Sequence, residues 1–356
     1  MIRNTVLAGG CAAIALAVAL PASAQQRLSL TIASGHPEVF LWVKHMTETF
    51  IPVLEAELAR HGEVTIDWTE AYGGTLVRLG SEVEAFQQGI MDVGMMSGVF
   101  SPGPLGLLNV SYAMPFGPAD PRAVAEAAEV AMAADGALDG VQDATGIVYI
   151  GGGVAIDDYN IGARRAFNTL ADMNGIRIGG AGPNLAWLGG TGAVGVQGSF
   201  VTFYNDISTG VYDGYIGWMT AMAPARLYEV APYWNLVNFG AMYIGGLGVA
   251  QPVWDSFSPE TQAAFRTAAA AYAEAYFAEQ DARYEAARET LLAAGGTIVE
   301  MDPAAHAAWI AALPNPTTAW AAAAEARGEP APMVLEAYRD HLAAQGFTFV
   351  RDYLEE

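Results

Sequence analysis

The chain has 356 residues, 16 of them basic and 38 acidic, for a formal net charge of −22. Nucleic acid is a poor partner for so acidic a surface, because binding its phosphates needs clustered cations. The one cysteine, Cys11, lies in the first apolar run, so disulfides and cysteine metal sites are excluded from everything after it.

The first residues have the three-part layout of an export signal: Arg3, an apolar run from Val6 to Leu20, and the small residues Ala22-Ser23-Ala24. This predicts cleavage near Ala24 and an exported mature chain with 15 basic and 38 acidic residues, net −23. A retained anchor is the competing reading, but the run is shorter than the ~20 residues of a bilayer span. Cys11 sits inside the run and not after it, which argues against lipid anchoring. The remaining length suffices for two lobes, each with its own core. The acidity reads as solubility, or as a means of excluding anionic solutes.

Leu28 to Ala33 alternates like a strand, and Phe40 to Arg60 has apolar residues at helical spacing. Between them Ser34-Gly-His-Pro-Glu38 forms a loop at the end of a strand, where open α/β sheets bind ligands. Val64 to Trp68 reads as a strand, Glu82 to Gln88 as a helix, and Asp92 to Ser97 as a third strand. This alternation predicts an α/β protein built on parallel sheet with helices on both faces. The apolar, glycine-rich run from Gly146 to Ala155 suits a buried crossing between lobes, and Ile244 to Ala250 a return. Pro259 to Ala294 is a long helix capped by Ser258 and stopped by Gly295-Gly296, followed by a strand from Thr297 to Met301 and an alanine-rich helical remainder.

Most catalytic signatures are missing. No nucleophile elbow or zinc-protease helix occurs, and the five histidines are scattered without ligand spacing, so neither metal nor cofactor is expected. Gly190-Thr-Gly-Ala-Val-Gly195 matches the dinucleotide fingerprint, with Asp213 near the expected spacing. However, helix-like Asn184 to Leu188 precedes it and no helical run follows, so a loop is the preferred reading.

Three segments, Asp172-Met-Asn-Gly-Ile-Arg-Ile178, Ser208-Thr-Gly-Val-Tyr-Asp-Gly214 and Leu227-Tyr-Glu-Val-Ala-Pro-Tyr233, resemble the second lobe of the DctP-like periplasmic solute-binding proteins of TRAP (tripartite ATP-independent periplasmic) transporters. The order of segments is similar over nearly the whole mature chain, including Gly-Ile-Met-Asp-Val-Gly94, Met114-Pro-Phe116 and the long helix. The resemblance implies a two-lobed binding-protein fold with hinge crossings and a helix spanning both lobes. It implies no catalysis: a small solute is captured and handed to the small and large TRAP membrane subunits, which an ion gradient drives. The expected division is residues 25–150 for lobe I, 151–243 for lobe II, 244–257 returning to lobe I, 258–295 for the helix and 296–356 for the C-terminal part.

In that family an arginine usually grips the solute carboxylate, and its position here is Gly179. Arg177 lies two residues earlier on the same strand face and would need another register to substitute. A second customary arginine falls at or near Tyr159, and a customary polar residue near Gly217. The candidate ligand-binding residues are therefore acidic, aromatic or small: Glu38, Phe40, Trp42, Tyr72, Ser97, Asp157, Asp158, Tyr159, Gly179, Tyr204, Asn205 and Trp218. Carboxylates beside aromatic faces suit an amine or quaternary ammonium, so an amine-bearing or neutral solute is preferred over a carboxylate or aromatic acid held by another cation. Asp157 and Asp158 are also the start of a hard-cation site, without further ligands. The alternative class is a secreted hydrolase using Glu38 and Asp157 as a carboxylate pair.

Overall fold

The computed structural model describes residues 26–62 and 64–356; the export signal expected at residues 1–24 lies outside them. Eleven strands among the described residues form two mixed sheets. The first holds β1 (Gln26–Ala33), β2 (Val64–Ala71), β3 (Val93–Met96), β4 (Ile147–Ile156) and β10 (Met242–Ala250), in the order β2-β1-β3-β10-β4. The second holds β5 (Tyr159–Ala163), β6 (Arg177–Gly180), β7 (Val194–Gln197), β8 (Gly214–Trp218), β9 (Tyr233–Leu236) and β11 (Thr297–Glu300), in the order β11-β9-β5-β8-β6-β7.

The sheets are mostly parallel, but one strand in each runs against its neighbours: β10 against β3 and β4, and β5 against β8 and β9. These are the strands entered when the chain changes sheet, because an outgoing strand that crosses the gap arrives in the opposite sense. All nine residues of β10 are buried, as its unbroken apolar composition requires for a strand covered on both faces.

Two crossings link the lobes, and they are hydrogen-bonded to each other. The chain leaves β4 through Asp157-Asp158 and returns after β9 through residues 237–241. Tyr159 N donates to Gly240 O (3.0 Å) and Phe239 N to Tyr159 O (3.0 Å). The long helix Pro259–Ala293 is a third link. Ser258 caps it by accepting from Thr261 N (3.2 Å), Pro259 occupies its first turn, and Ala287 and Leu291 end in the second lobe's core. Along the way Tyr276 Oη and Gln280 Nε2 both donate to Ala155 O (3.1 Å each).

The predicted helix from Phe40 to Arg60 is interrupted. Leu41–His45 and Ile51–His61 are α-helical, but Met46–Phe50 widens into a π-turn. Pro52 has no N–H to donate to residue 48, which removes a bond that would have kept the turn tight. The C-terminal helices tie both lobes: Trp309 Nε1 donates to Trp187 O (2.8 Å) and Trp320 Nε1 to Gly106 O (3.0 Å). Among the described residues no helix is long and apolar enough to cross a membrane.

Candidate functional site

The ends of β1 and β3 in the first lobe, and of β6 and β8 in the second, converge on one inner cavity of about 60 Å³. Strand chemistry explains part of its wall. Ile216 and Trp218 are two residues apart on β8 and so share a face, and Tyr159 is the direct partner of Trp218 across the β5–β8 ladder. Their rings stand 5.1 Å apart.

Four rings close the cavity toward solvent. Phe40 stacks on Trp42 (4.6 Å between centroids) from the first lobe, and Phe200 lies 4.3 Å from Trp218 in the second. The two pairs meet at 6.2 Å (Trp42 to Trp218) and 6.4 Å (Phe40 to Phe200). The same four side chains form the inner wall of an outer cavity of about 240 Å³ bordered by Arg283 on the long helix. That helix fixes the wall: Tyr272 Oη donates to Trp42 O (2.9 Å), and Arg283 Nη1 to Val39 O (2.9 Å).

The polar lining of the inner cavity is neutral or acidic. His36 is enclosed edge-on by Phe40, Trp42 and Phe100, each 5.2 Å away, and burial pushes its imidazole down to about 4, so it is uncharged at neutral pH. Glu82 is the one carboxylate in the lining. Burial raises its pKa against the backbone hydrogen bonds it accepts, including Gly80 N at 2.6 Å. Tyr112 and Tyr159 join hydroxyls at 3.1 Å; one proton is used in that bond and the other has no acceptor within the protein. Asn184 is also in the lining, with its Oδ1 buried and unpartnered. Among the described residues, no lysine or arginine lines this cavity.

Of the twelve candidates, Phe40, Trp42, Ser97, Tyr159 and Trp218 line the cavity. Glu38 is exposed outside it, Tyr72 hydrogen-bonds Thr47 and Glu70, Tyr204 Oη donates to Glu229 (2.8 Å), and Asn205 is exposed. Asp157 is buried behind the cavity, accepting from Thr220 Oγ1 (2.6 Å) and Thr220 N (3.2 Å). Asp158 accepts from Asn160 Nδ2 (2.8 Å) and Gly240 N (2.8 Å). Burial raises both to about 6. Among the described residues, no three His, Cys, Asp or Glu side chains are grouped to hold a metal ion.

Gly179 is buried in β6, and the space a side chain would need is filled. A Cβ there would lie 2.8 Å from Phe203 and 3.0 Å from Tyr212. Arg177 does not replace the missing guanidinium: its Nη2 and Nε grip Asp213 at 3.1 and 3.2 Å in the register where Gly179 opposes Val196 and Tyr215. The same pairing uses Asp213, and the fingerprint-like segment after Gly190 is a turn leading into β7, with no helix. His36, Glu82, Asn184, Ser199 and Phe200 were not among the candidates. Only the loop position of His36 after the first strand marked it in the sequence.

Residues 42–322 match the DctP family, the bacterial extracellular solute-binding proteins of family 7, and the chain belongs to that family. It is a solute-binding protein and not an enzyme. Its fold is that of TRAP periplasmic solute-binding proteins. One from Desulfovibrio salexigens, crystallised as an open complex, superposes with a TM-score of 0.76 at 17% identity, covering 90% of this chain and 98% of that one. A marine metagenome protein specific for aromatic acid ligands, in complex with 3-hydroxybenzoate, gives 0.73 at 19% identity and 92% and 100% coverage. A Bordetella pertussis extracytoplasmic solute receptor binding pyroglutamic acid gives 0.71 at 18% identity and 87% and 99% coverage. No curated protein sequence matches.

Proposed function

We propose that the chain is the periplasmic receptor of a TRAP transporter, exported by a signal cleaved near Ala24, and that it delivers a small amine-bearing or neutral solute to the small and large membrane subunits. The observation that carries the solute class is the lining of the inner cavity: aromatic faces, one carboxylate, and no arginine or lysine. A carboxylate solute there would be buried unpaired beside Glu82, at a cost of roughly several kcal/mol. An ammonium group meets ring faces and a carboxylate, which attract it. For the lobe limits we propose that lobe I extends to Asp157-Asp158 and that the return begins within residues 237–241, a division supported by the span of β4 to Ile156 and of β10 from Met242. Closure about those crossings traps the solute, and the closed form is what the membrane subunits receive.

A thermal-shift screen of small amines, sugars and organic acids tests the solute class, since a ligand of the folded state raises stability by mass action. Stabilisation by small amines is expected; stabilisation by organic acids alone rejects it. One observation favours a second reading. Arg283 borders the outer cavity with Nε on Glu279 (2.8 Å), Nη1 on Val39 O and Nη2 unbonded. An aromatic acid would place its carboxylate there, and its binding would then be lost in Arg283→Gln.

A further inference from the structure

Four asparagines are buried among the described residues: Asn109, Asn160, Asn184 and Asn235. Three are tied into the fold. Asn160 Oδ1 accepts from Val237 N (2.7 Å) and Asn238 N (2.8 Å), Asn235 Oδ1 from Phe167 N (2.9 Å), and Asn109 Nδ2 donates to Gly98 O (2.8 Å), with its Oδ1 left unpartnered away from the inner cavity. Asn184 is 2% exposed, lines the inner cavity, and has its Oδ1 buried with no hydrogen-bond partner. A buried polar atom left unspent is costly to keep unless a guest satisfies it.

The amide is also held in place. Asn184 belongs to the short helical segment Gly182–Leu188, anchored to the first lobe where Trp187 Nε1 donates to Tyr112 O (3.0 Å). At the head of that segment Gly182 has φ +57°, and a Cβ there would lie 2.9 Å from Val99 O across the cleft. Oδ1 packs over Gly180, where a Cβ would come within 2.5 Å of it. The glycine leaves room for the amide and for nothing larger.

We propose that Asn184 is a specificity-determining residue that selects solutes carrying a hydroxyl group next to the amine. This rests on the amine-receptor reading above and narrows it. A hydroxyl both donates and accepts, matching an amide that offers a donor and an acceptor. The cavity's 60 Å³, at roughly 10–15 Å³ per water-sized group, admits about four to six such groups, which fits ethanolamine; the larger choline requires the lobes to part slightly.

Isothermal titration of the purified chain with two isosteric pairs tests this: choline against N,N,N-trimethylpropylammonium, and ethanolamine against propylamine. In each pair the hydroxylated member binds about tenfold tighter or better to the wild type. In Asn184→Leu its affinity falls to that of its isostere, which itself stays within about twofold of the wild type. Asn184→Ala adds no bulk, gives the same collapse of preference, and serves where Asn184→Leu does not fold. Equal affinities within both pairs in the wild type, or a preference that survives in the variants, overturns the role of Asn184 and leaves the amine receptor standing. Binding of none of the four overturns the amine reading and this inference with it.

Discussion

The interlobe crossing and the inner cavity lie within a few residues of each other, yet their polar groups are treated in opposite ways. At the crossing both oxygens of Asp157 are bonded to Thr220, and both oxygens of Asp158 are bonded, to Gly240 N and Asn160. In the cavity Asn184 Oδ1 is unpartnered, one tyrosine proton of the Tyr112–Tyr159 pair is unspent, and the His36 imidazole is enclosed by three rings. Polar groups answered within the chain hold the fold, whereas unanswered ones facing a cavity are available to a guest. The carboxylates that a sequence reader would place in the cleft therefore belong to the hinge, and the cavity's own acid is Glu82.

The comparison breaks most visibly if a cation can be put back. Gly179→Arg must displace Phe203 and Tyr212 and bury a charge, so it is expected to destabilise by ~3 kcal/mol or more in urea unfolding and to gain no affinity for pyroglutamate. A stable variant that binds the acid would show that the aromatic filling is incidental. Next in size, Trp218→Ala removes a ring from the closing wall and should weaken choline binding about 30-fold, roughly 2 kcal/mol, with the folded circular dichroism spectrum retained. Unchanged affinity would put the solute elsewhere.

The hinge side of the comparison is sharpened by pH. Asp157 and Asp158 titrate near 6 when folded against about 4 when unfolded, so between those values the folded chain holds protons that the unfolded chain has released. Their contribution to stability is therefore fully present only below pH 4 and is lost as pH rises through 6, declining by roughly 2 kcal/mol per group between those values. Asp157→Asn keeps an acceptor for Thr220 N and should flatten that decline in denaturant titrations at pH 4, 5, 6 and 7. A variant with the wild-type slope would mean Asp157 is not the group responsible. The smallest effect belongs to the cavity acid. Glu82→Gln should lower affinity for trimethylpropylammonium about fivefold, ~1 kcal/mol, and leave a neutral solute unaffected.

Much of the architecture was legible because its signals are local. The cap and proline at Ser258-Pro259 open the long helix, and the cap accepts a backbone hydrogen bond as expected. Apolar runs marked β4 and β10, and the glycine at position 179 declared the missing clamp. Phe40, Trp42 and Trp218 were readable as aromatics at strand or loop ends. What sequence could not show is which polar groups are already answered. Asp157 meets Thr220 at a separation of 63 residues and Asp158 meets Gly240 at 82, so both looked free. Glu82 at a helix start and Asn184 in a short turn of helix looked like ordinary caps and turns, because only the meeting of two lobes aims them at one space.

The most direct test of the account is calorimetric titration at neutral pH with choline or ethanolamine and, separately, with pyroglutamate and 3-hydroxybenzoate. One-to-one binding of an amine at least about tenfold tighter than either acid is expected. Tight binding of an acid with no response to the amines would contradict it.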